Sequence, residues 1–181
     1  NNNLFCKLVN IKKAKIKKIV LIISSDNLEK KSKEKIIFSI NERLKKFGLE
    51  IYKIYFNNYS LEEIKKNLSL LSKDRVDLAL IYGSTSIVDK NDTIPKALKE
   101  CKGKVITYGM PADPGNLLMF GKLNSIDVIG VPGCAKSLTR NGFDMILEKV
   151  CFGITLNKMT ISEMSDGGLF KSVIRKHSIE S

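Results

Sequence analysis

Three short stretches carry the residue types that hold anions. "GSTSIVDKND" at 83–92 gathers Gly83, Ser84, Thr85 and Ser86, with Asp89 and Asp92 behind them. "GMPADPGN" at 109–116 offers Gly109, Asp113, Pro114, Gly115 and Asn116, and "PGCAKS" at 132–137 offers Pro132, Gly133, Cys134, Lys136 and Ser137. Glycine lets backbone N–H groups approach a phosphate closely, hydroxyls add donors, and a lysine adds charge. The two aspartates have two readings. As a chemical pair, in a catalytic role, they can hold Mg2+ against a phosphate or accept from the amino groups of a heterocycle. As structural residues, Asp92 stands where it would cap the helix predicted by "TIPKALKEC".

A different chemistry is written into "CAKSLTR". Cys134 and Arg140 form a CX5R arrangement between a predicted strand and a predicted helix, the layout of a cysteine phosphatase loop: thiolate nucleophile, backbone donors and a clamping guanidinium. Asp113 is the available acid. Other chemistries are excluded. There is no GxxxxGK[ST] or GxGxxG pattern, which removes the usual nucleotide-binding loops. The lone His177 leaves no His triad or multi-His metal site, and four scattered cysteines without a CxxC pair argue against zinc or a disulfide framework.

These stretches need elements to position them. "KIVLIISS" (18–25), "LEIYKIYF" (49–56) and "VDLALIY" (76–82) are short apolar runs of the kind that form buried parallel strands. Between them, Leu28, Ile36, Ile37, Ile40, Leu44 and Phe47 recur at helical spacing up to Gly48, and Ser60 with Glu63 opens a second amphipathic helix as a capping box. Further strands are predicted at 103–109, 117–123 and 126–133, and a helix over 135–153. The expected fold is a three-layer α/β/α sandwich around a mostly parallel central sheet. In such sheets ligands bind beyond the carboxyl ends of the strands. "SSD" after the first strand, "GSTSIVDKND" after the third and "PGCAKS" after the last converge there if the strands are parallel, and "GMPADPGNLL" follows a strand as well.

Composition sets the outer bounds. The chain has 181 residues, 43% hydrophobic and 28% charged, and a net charge of +12 from 31 Lys+Arg against 19 Asp+Glu. One domain is expected at 18–170, with a basic lead-in at 1–17 and a tail at 171–181. The positive balance suits either solvated lysine-rich faces or a phosphorylated ligand. No basic stretch is interleaved with aromatics, so neither a nucleic acid nor a membrane is expected as partner. Unpaired cysteines point to a reducing, cytoplasmic setting.

Taken in order, "GSTSIVDKNDTIPKAL", "GKVITYGMPADPGNLLMFG" and "VIGVPGCAKSLTRNGFDMILEKV" resemble the molybdopterin-binding (MoaB/Mog-like) domain of molybdenum-cofactor biosynthesis, whose fold is shared by molybdopterin adenylyltransferases and molybdenum insertases. Gly83-Ser84-Thr85-Ser86 stands at the family's GGTG-type loop, Asp92-Thr93 at its acid and helix start, and Val131-Pro132-Gly133-Cys134 at its Leu-Pro-Gly-Asn-type turn. The likeness is nearer to a subfamily that accompanies a molybdenum-cofactor cytidylyltransferase domain, through Gly109-Met110-Pro111, Asp113 to Asn116, Cys134 to Ser137, Asn141-Gly142-Phe143-Asp144 and "MSDGGL". The resemblance covers residues 18–170. It implies that these loops bind molybdopterin or its nucleotide form, with Mg2+ and a nucleoside triphosphate as co-ligands for adenylyl transfer or metal insertion. It also implies a homo-oligomer and a nucleotidyltransferase partner domain. A non-catalytic anion-binding module serving a partner transferase is the alternative.

Overall fold

The computed structural model of the protein describes residues 14–85, 87, 89 and 91–165. Ser86, His177, Cys6, the "DGGL" stretch, most of the lead-in and the whole tail lie outside the described residues.

Each apolar run becomes a strand. β1 (Ile19–Ser24) and β3 (Leu78–Gly83) are buried at every position, and β6 (Ile126–Val131) at all but Asp127. β2 (Ile51–Asn57) alternates between half-buried and exposed because it borders the sheet. The order is β2-β1-β3-β6-β5-β4, where β4 is Lys104–Tyr108 and β5 is Met119–Leu123. β1, β2, β3 and β6 run parallel; β5 alone is reversed, pairing antiparallel with both β6 and β4. From β1 the chain passes to β2 on one side and then back to β3 on the other. The carboxyl ends of β1 and β3 therefore form the switch-point crevice where α/β sheets bind ligands.

Helices cover both faces, as the spacing predicts. α1 (Lys30–Lys45) and α4 (Gly142–Cys151) lie over one face, joining Ile36, Ile40, Leu44, Phe143, Ile146 and Val150 to the strand residues Leu21, Leu80 and Ile129. α2 (Leu61–Leu71) and α3 (Thr93–Glu100) cover the other face, against Val20, Ile22, Ala79 and Ile81. Gly48 ends α1 in the left-handed region at φ +68°, with Leu49 N–H returning to the Leu44 carbonyl. The Ser60 hydroxyl accepts from Glu63 N–H at the start of α2.

One expected element is corrected. The helix expected over 135–153 begins only at Gly142. Residues Gly133–Lys136 form a single 3-10 turn, and an irregular segment follows. Asn141 then caps α4 in a reciprocal box: its side chain accepts from Phe143 N–H, while the Asp144 carboxylate accepts from Asn141 N–H. A short α5 (Lys158–Ser162) closes the described chain on the α4 side.

Candidate functional site

The loops after β3 and β6 begin side by side, because Tyr82 pairs with Val131 on adjacent parallel strands. The Lys136 ammonium lies 5.4 Å over the Tyr82 ring, bringing the "PGCAKS" turn onto the end of β3. Gly83, Ser84 and Thr85 thus share an edge with Pro132 to Ser137, and the sequence-predicted convergence holds for these two loops. The segment after β1 is used internally. The Ser24 hydroxyl donates to the Asn58 carbonyl at 3.0 Å, the Ser24 carbonyl accepts from Ser84 N–H at 3.0 Å, and Asp26 accepts from Tyr59 N–H at 2.9 Å.

Tyr59, which the sequence reading did not single out, is part of this edge. Its hydroxyl accepts from the Thr85 hydroxyl at 2.8 Å. A Cβ added at Gly83 would lie 2.7 Å from the Tyr59 ring and 3.0 Å from Ile94 Cδ1. Gly83 is therefore required by the packing of the protein's own tyrosine, whereas the sequence reading gave it to an approaching anion. At Gly133 a Cβ would meet nothing within 4 Å, so the space beside its Cα opens outward. Gly115, at φ +113°, is explained by close approach to the Gly142 backbone.

Asp89 and Asp92 face each other across one turn. Asp92 Oδ2 accepts from Asp89 N–H at 2.9 Å, and the Asp89 carboxylate accepts from Asn91 N–H. Asp92 occupies the cap position of α3, but its side chain caps no helix N–H; it turns back onto the loop, which corrects the expected structural role. Among the described residues no three His, Cys, Asp or Glu side chains gather as a metal cluster.

The second loop is organised by Arg43 of α1, 2% exposed and also not singled out in the sequence reading. Its guanidinium donates to the carbonyls of Ala135 (3.1 Å), Ser137 (2.7 Å) and Thr139 (3.3 Å), to the Ser39 hydroxyl, and to both oxygens of Asp144. These carbonyls converge on one guanidinium instead of aligning along a helix axis, and "KSLTR" stays irregular. The same Asp144 caps α4, and Gly142 N–H at that helix start donates to the Pro114 carbonyl at 2.9 Å. One buried cation thus ties the 132–139 segment to the 109–116 loop.

The phosphatase arrangement does not form. Arg140 is 67% exposed and pairs with Glu148 at 3.8 Å. Ala135 and Ser137 N–H groups donate to the Pro132 and Cys134 carbonyls within the turn, so they cannot circle a phosphate. Burial pushes the Cys134 thiol above its ordinary range, Asp144 and Asp113 add to that, and Arg43 opposes it. A phosphatase nucleophile needs the opposite shift.

The third loop divides. Asp113 lies within electrostatic reach of Cys134. Gly109 and Asn116 instead line a cleft of about 430 Å3 with Tyr108, Met110, Lys158 and Ile161, to which no residue of the other two loops contributes. Gly109 and Asn116 thus line a cleft apart from the β3 and β6 edge, where a single rim was expected.

No family model and no curated protein matches this chain. Among solved structures, it is similar to the molybdopterin biosynthesis moea protein from Pyrococcus horikosii, with TM-score 0.54 and 16% identity over 77% of this chain and 35% of that one. It is also similar to the molybdopterin biosynthesis enzyme MoaB from Thermus thermophilus, with TM-score 0.54 and 16% identity over 77% of this chain and 94% of that one. The chain thus spans about a third of the length of the first and nearly all of the second. The fold is the MoaB-type mixed α/β sandwich. No helix among the described residues is long and apolar enough to cross a membrane.

Proposed function

We propose that the edge formed by Gly83–Thr85 and Pro132–Ser137 binds molybdopterin or its nucleotide form, in molybdenum-cofactor biosynthesis. The carrying observation is that two hydroxyl- and glycine-bearing loops meet at adjacent parallel strand ends, with the Lys136 cation and the open side of Gly133 between them. The fold likeness to proteins named for molybdopterin biosynthesis supports the ligand class. In this reading Lys136 and the Ser84 hydroxyl hold the phosphate, and Asp89 and Asp92 face the pterin amino groups or a Mg2+ ion. That ion would take its remaining ligands from phosphate and water, as Mg2+ usually does.

One observation favours a carrier over an adenylyltransferase or insertase: both aspartates spend carboxylate oxygens on the loop's own N–H groups. A nucleotidyltransferase on a partner chain or domain then supplies the chemistry. Titration of the purified chain with molybdopterin tests the reading, beside Lys136→Glu and Ser84→Tyr. Saturable binding weakened about tenfold or more by each change, the loss of one charge-assisted contact, supports it. Absence of saturable binding by the unmodified chain ends it. Adding ATP and looking for pterin-linked AMP then separates enzyme from carrier.

A further inference from the structure

We infer that the outer edge of β2 is a docking strand for an extended acidic segment of a partner protein. This goes beyond the pterin reading and does not rest on it, since it concerns the border of the sheet, on the far side of β1 from β3 and β6.

Among the described residues β2 pairs with β1 alone. The Asn57 carbonyl accepts from Ser25 N–H on the β1 side at 2.9 Å. In a parallel strand the N–H and C=O of one residue point the same way, and successive residues alternate. Ile54 and Phe56 therefore turn theirs outward, where no described strand meets them. An unpaired row of this kind is a template for an added strand.

The side chains beside the row choose what is added. Ile54 packs into the core under α1, so Phe56, two positions on, stands on that side; it is 54% exposed, with the Lys33 ammonium 5.5 Å over its ring. Tyr55 packs toward α2, with the Lys53 ammonium 4.7 Å over its ring. Lys18 stands 5.0 Å over Tyr52 at the start of the strand. Asp74, 3.7 Å from Lys53, is the one carboxylate among the described residues that pairs with any of these three lysines. Three cations against one acid leave the row positive, on a chain of net charge +12.

That balance decides between occupants. A second copy would bring its own lysines against these, and like charges across a strand pair are destabilising. An acidic strand finds a cation and an aromatic ring on each of its sides. The other border strand, β4, is less suited: its register slips between Val105 and Thr107, and α5 stands beside it across the cleft lined by Thr107 and Ile161.

Fluorescence anisotropy of the full chain with a labelled eight-residue peptide alternating valine and glutamate tests this. The alternation puts acid on one side and an apolar chain on the other in either register. Saturable binding with a Kd of about 10–100 µM is expected, as for a small transient interface. It should weaken about tenfold when alternate peptide amides are N-methylated, which removes the ladder donors. Lys53→Glu should weaken it about fivefold, and its exposed position lets the fold survive. Lys104→Glu on β4 makes the same charge change at the other border and should stay within about twofold, because distant surface charges are screened.

The inference is overturned by no saturation up to about 1 mM, by equal binding of the N-methylated peptide, or by equal effects of the two lysine changes. A valine–lysine peptide binding as tightly, or an oligothymidylate displacing the peptide at equal concentration, would also overturn it, the latter by giving the patch to a nucleic acid. Sedimentation of the chain alone reads the remaining occupant. A monomer, or an oligomer that Phe56→Pro leaves intact, agrees with the inference; an oligomer dissolved by Phe56→Pro with circular dichroism unchanged would assign the edge to a second copy. Molybdopterin takes no part in these measurements, so either proposal can fail while the other stands.

Discussion

Tyr82 and Val131 are paired on neighbouring strands, so the loops that follow them begin at the same edge of the sheet. The loop after β6 is gripped from outside: Arg43, far away in sequence on α1, takes the carbonyls of Ala135, Ser137 and Thr139 and both oxygens of Asp144. The loop after β3 is held by near neighbours, with Asp92 on Asp89 N–H, Asp89 on Asn91 N–H, and Tyr59 on Thr85. Ile87, 4% exposed, pins it over Gly130 on β6. A candidate site with one wall set by a buried charge and one set by local turns has a fixed side and an adaptable side. The fixed side carries the stability cost when it is damaged.

The most damaging change should therefore be Arg43→Met. It leaves Asp144 without its cation and takes one donor from each of three carbonyls, and breaking such a buried pair costs about 3–5 kcal/mol. Urea unfolding measures it. Asp144→Asn should cost less, because Arg43 keeps its carbonyls. A loss below about 1 kcal/mol for Arg43→Met, typical of a surface pair, would break the contrast between the loops.

Next in size is Gly83→Ala on the locally held side. The new methyl would press on the Tyr59 ring and Ile94, and overpacking of this kind costs about 1–3 kcal/mol. Thermal unfolding reads it, and a neutral result would show that Tyr59 is free to move away.

The sequence showed much of the frame and less of the walls. Apolar runs such as "VLII" can be satisfied only as buried strands, and Gly48 and Ser60 mark helix ends by local chemistry, so these were legible. The start of α4 was not. "AKSLTR" is compatible with helix by its own propensities, and the contact that overrides them comes from a residue about ninety positions away. A signal did exist: Arg43 falls inside the apolar stripe Ile36, Ile40, Leu44, where a charge must find partners if buried. The role of Tyr59 had no such signal, since its position over Gly83 depends on how β2 and β3 flank β1. The placing of Gly109 and Asn116 in a cleft apart from the β3 and β6 edge depends on β5 lying between β4 and β6, and strand order cannot be read from periodicity.

A smaller effect concerns Cys134 on the anchored wall. Its thiol is pushed upward by burial, so near neutral pH it carries less thiolate than a free cysteine, and alkylation should speed up only as pH rises through the alkaline range. Peptide mapping after iodoacetamide at pH 8 should find it several-fold slower than a model thiol, as expected for a half-buried thiol whose charged form is disfavoured. Asp113→Asn removes a charge that disfavours the thiolate and should raise the rate modestly. Alkylation faster than a free thiol would contradict the burial and reopen the nucleophile reading.

The finest test uses the two glycines that stand at corresponding places in the two loops. Gly83 has its missing side chain's space filled by Tyr59; Gly133 has that space open. Gly133 does not lie in the left-handed backbone region either, so nothing within the chain requires a glycine there. Gly133→Ala should therefore change stability by less than about 0.5 kcal/mol, as surface substitutions do. If the open side receives the ligand phosphate, the same methyl should weaken molybdopterin binding several-fold while the melting temperature stays put. Gly83→Ala should do the reverse, lowering the melting temperature through strain at Tyr59. If Gly133→Ala leaves both quantities untouched, the phosphate contact shifts along the anchored wall toward Lys136 and Ser137. Loss of stability instead would mean that the gap is closed from a side not apparent in the fold.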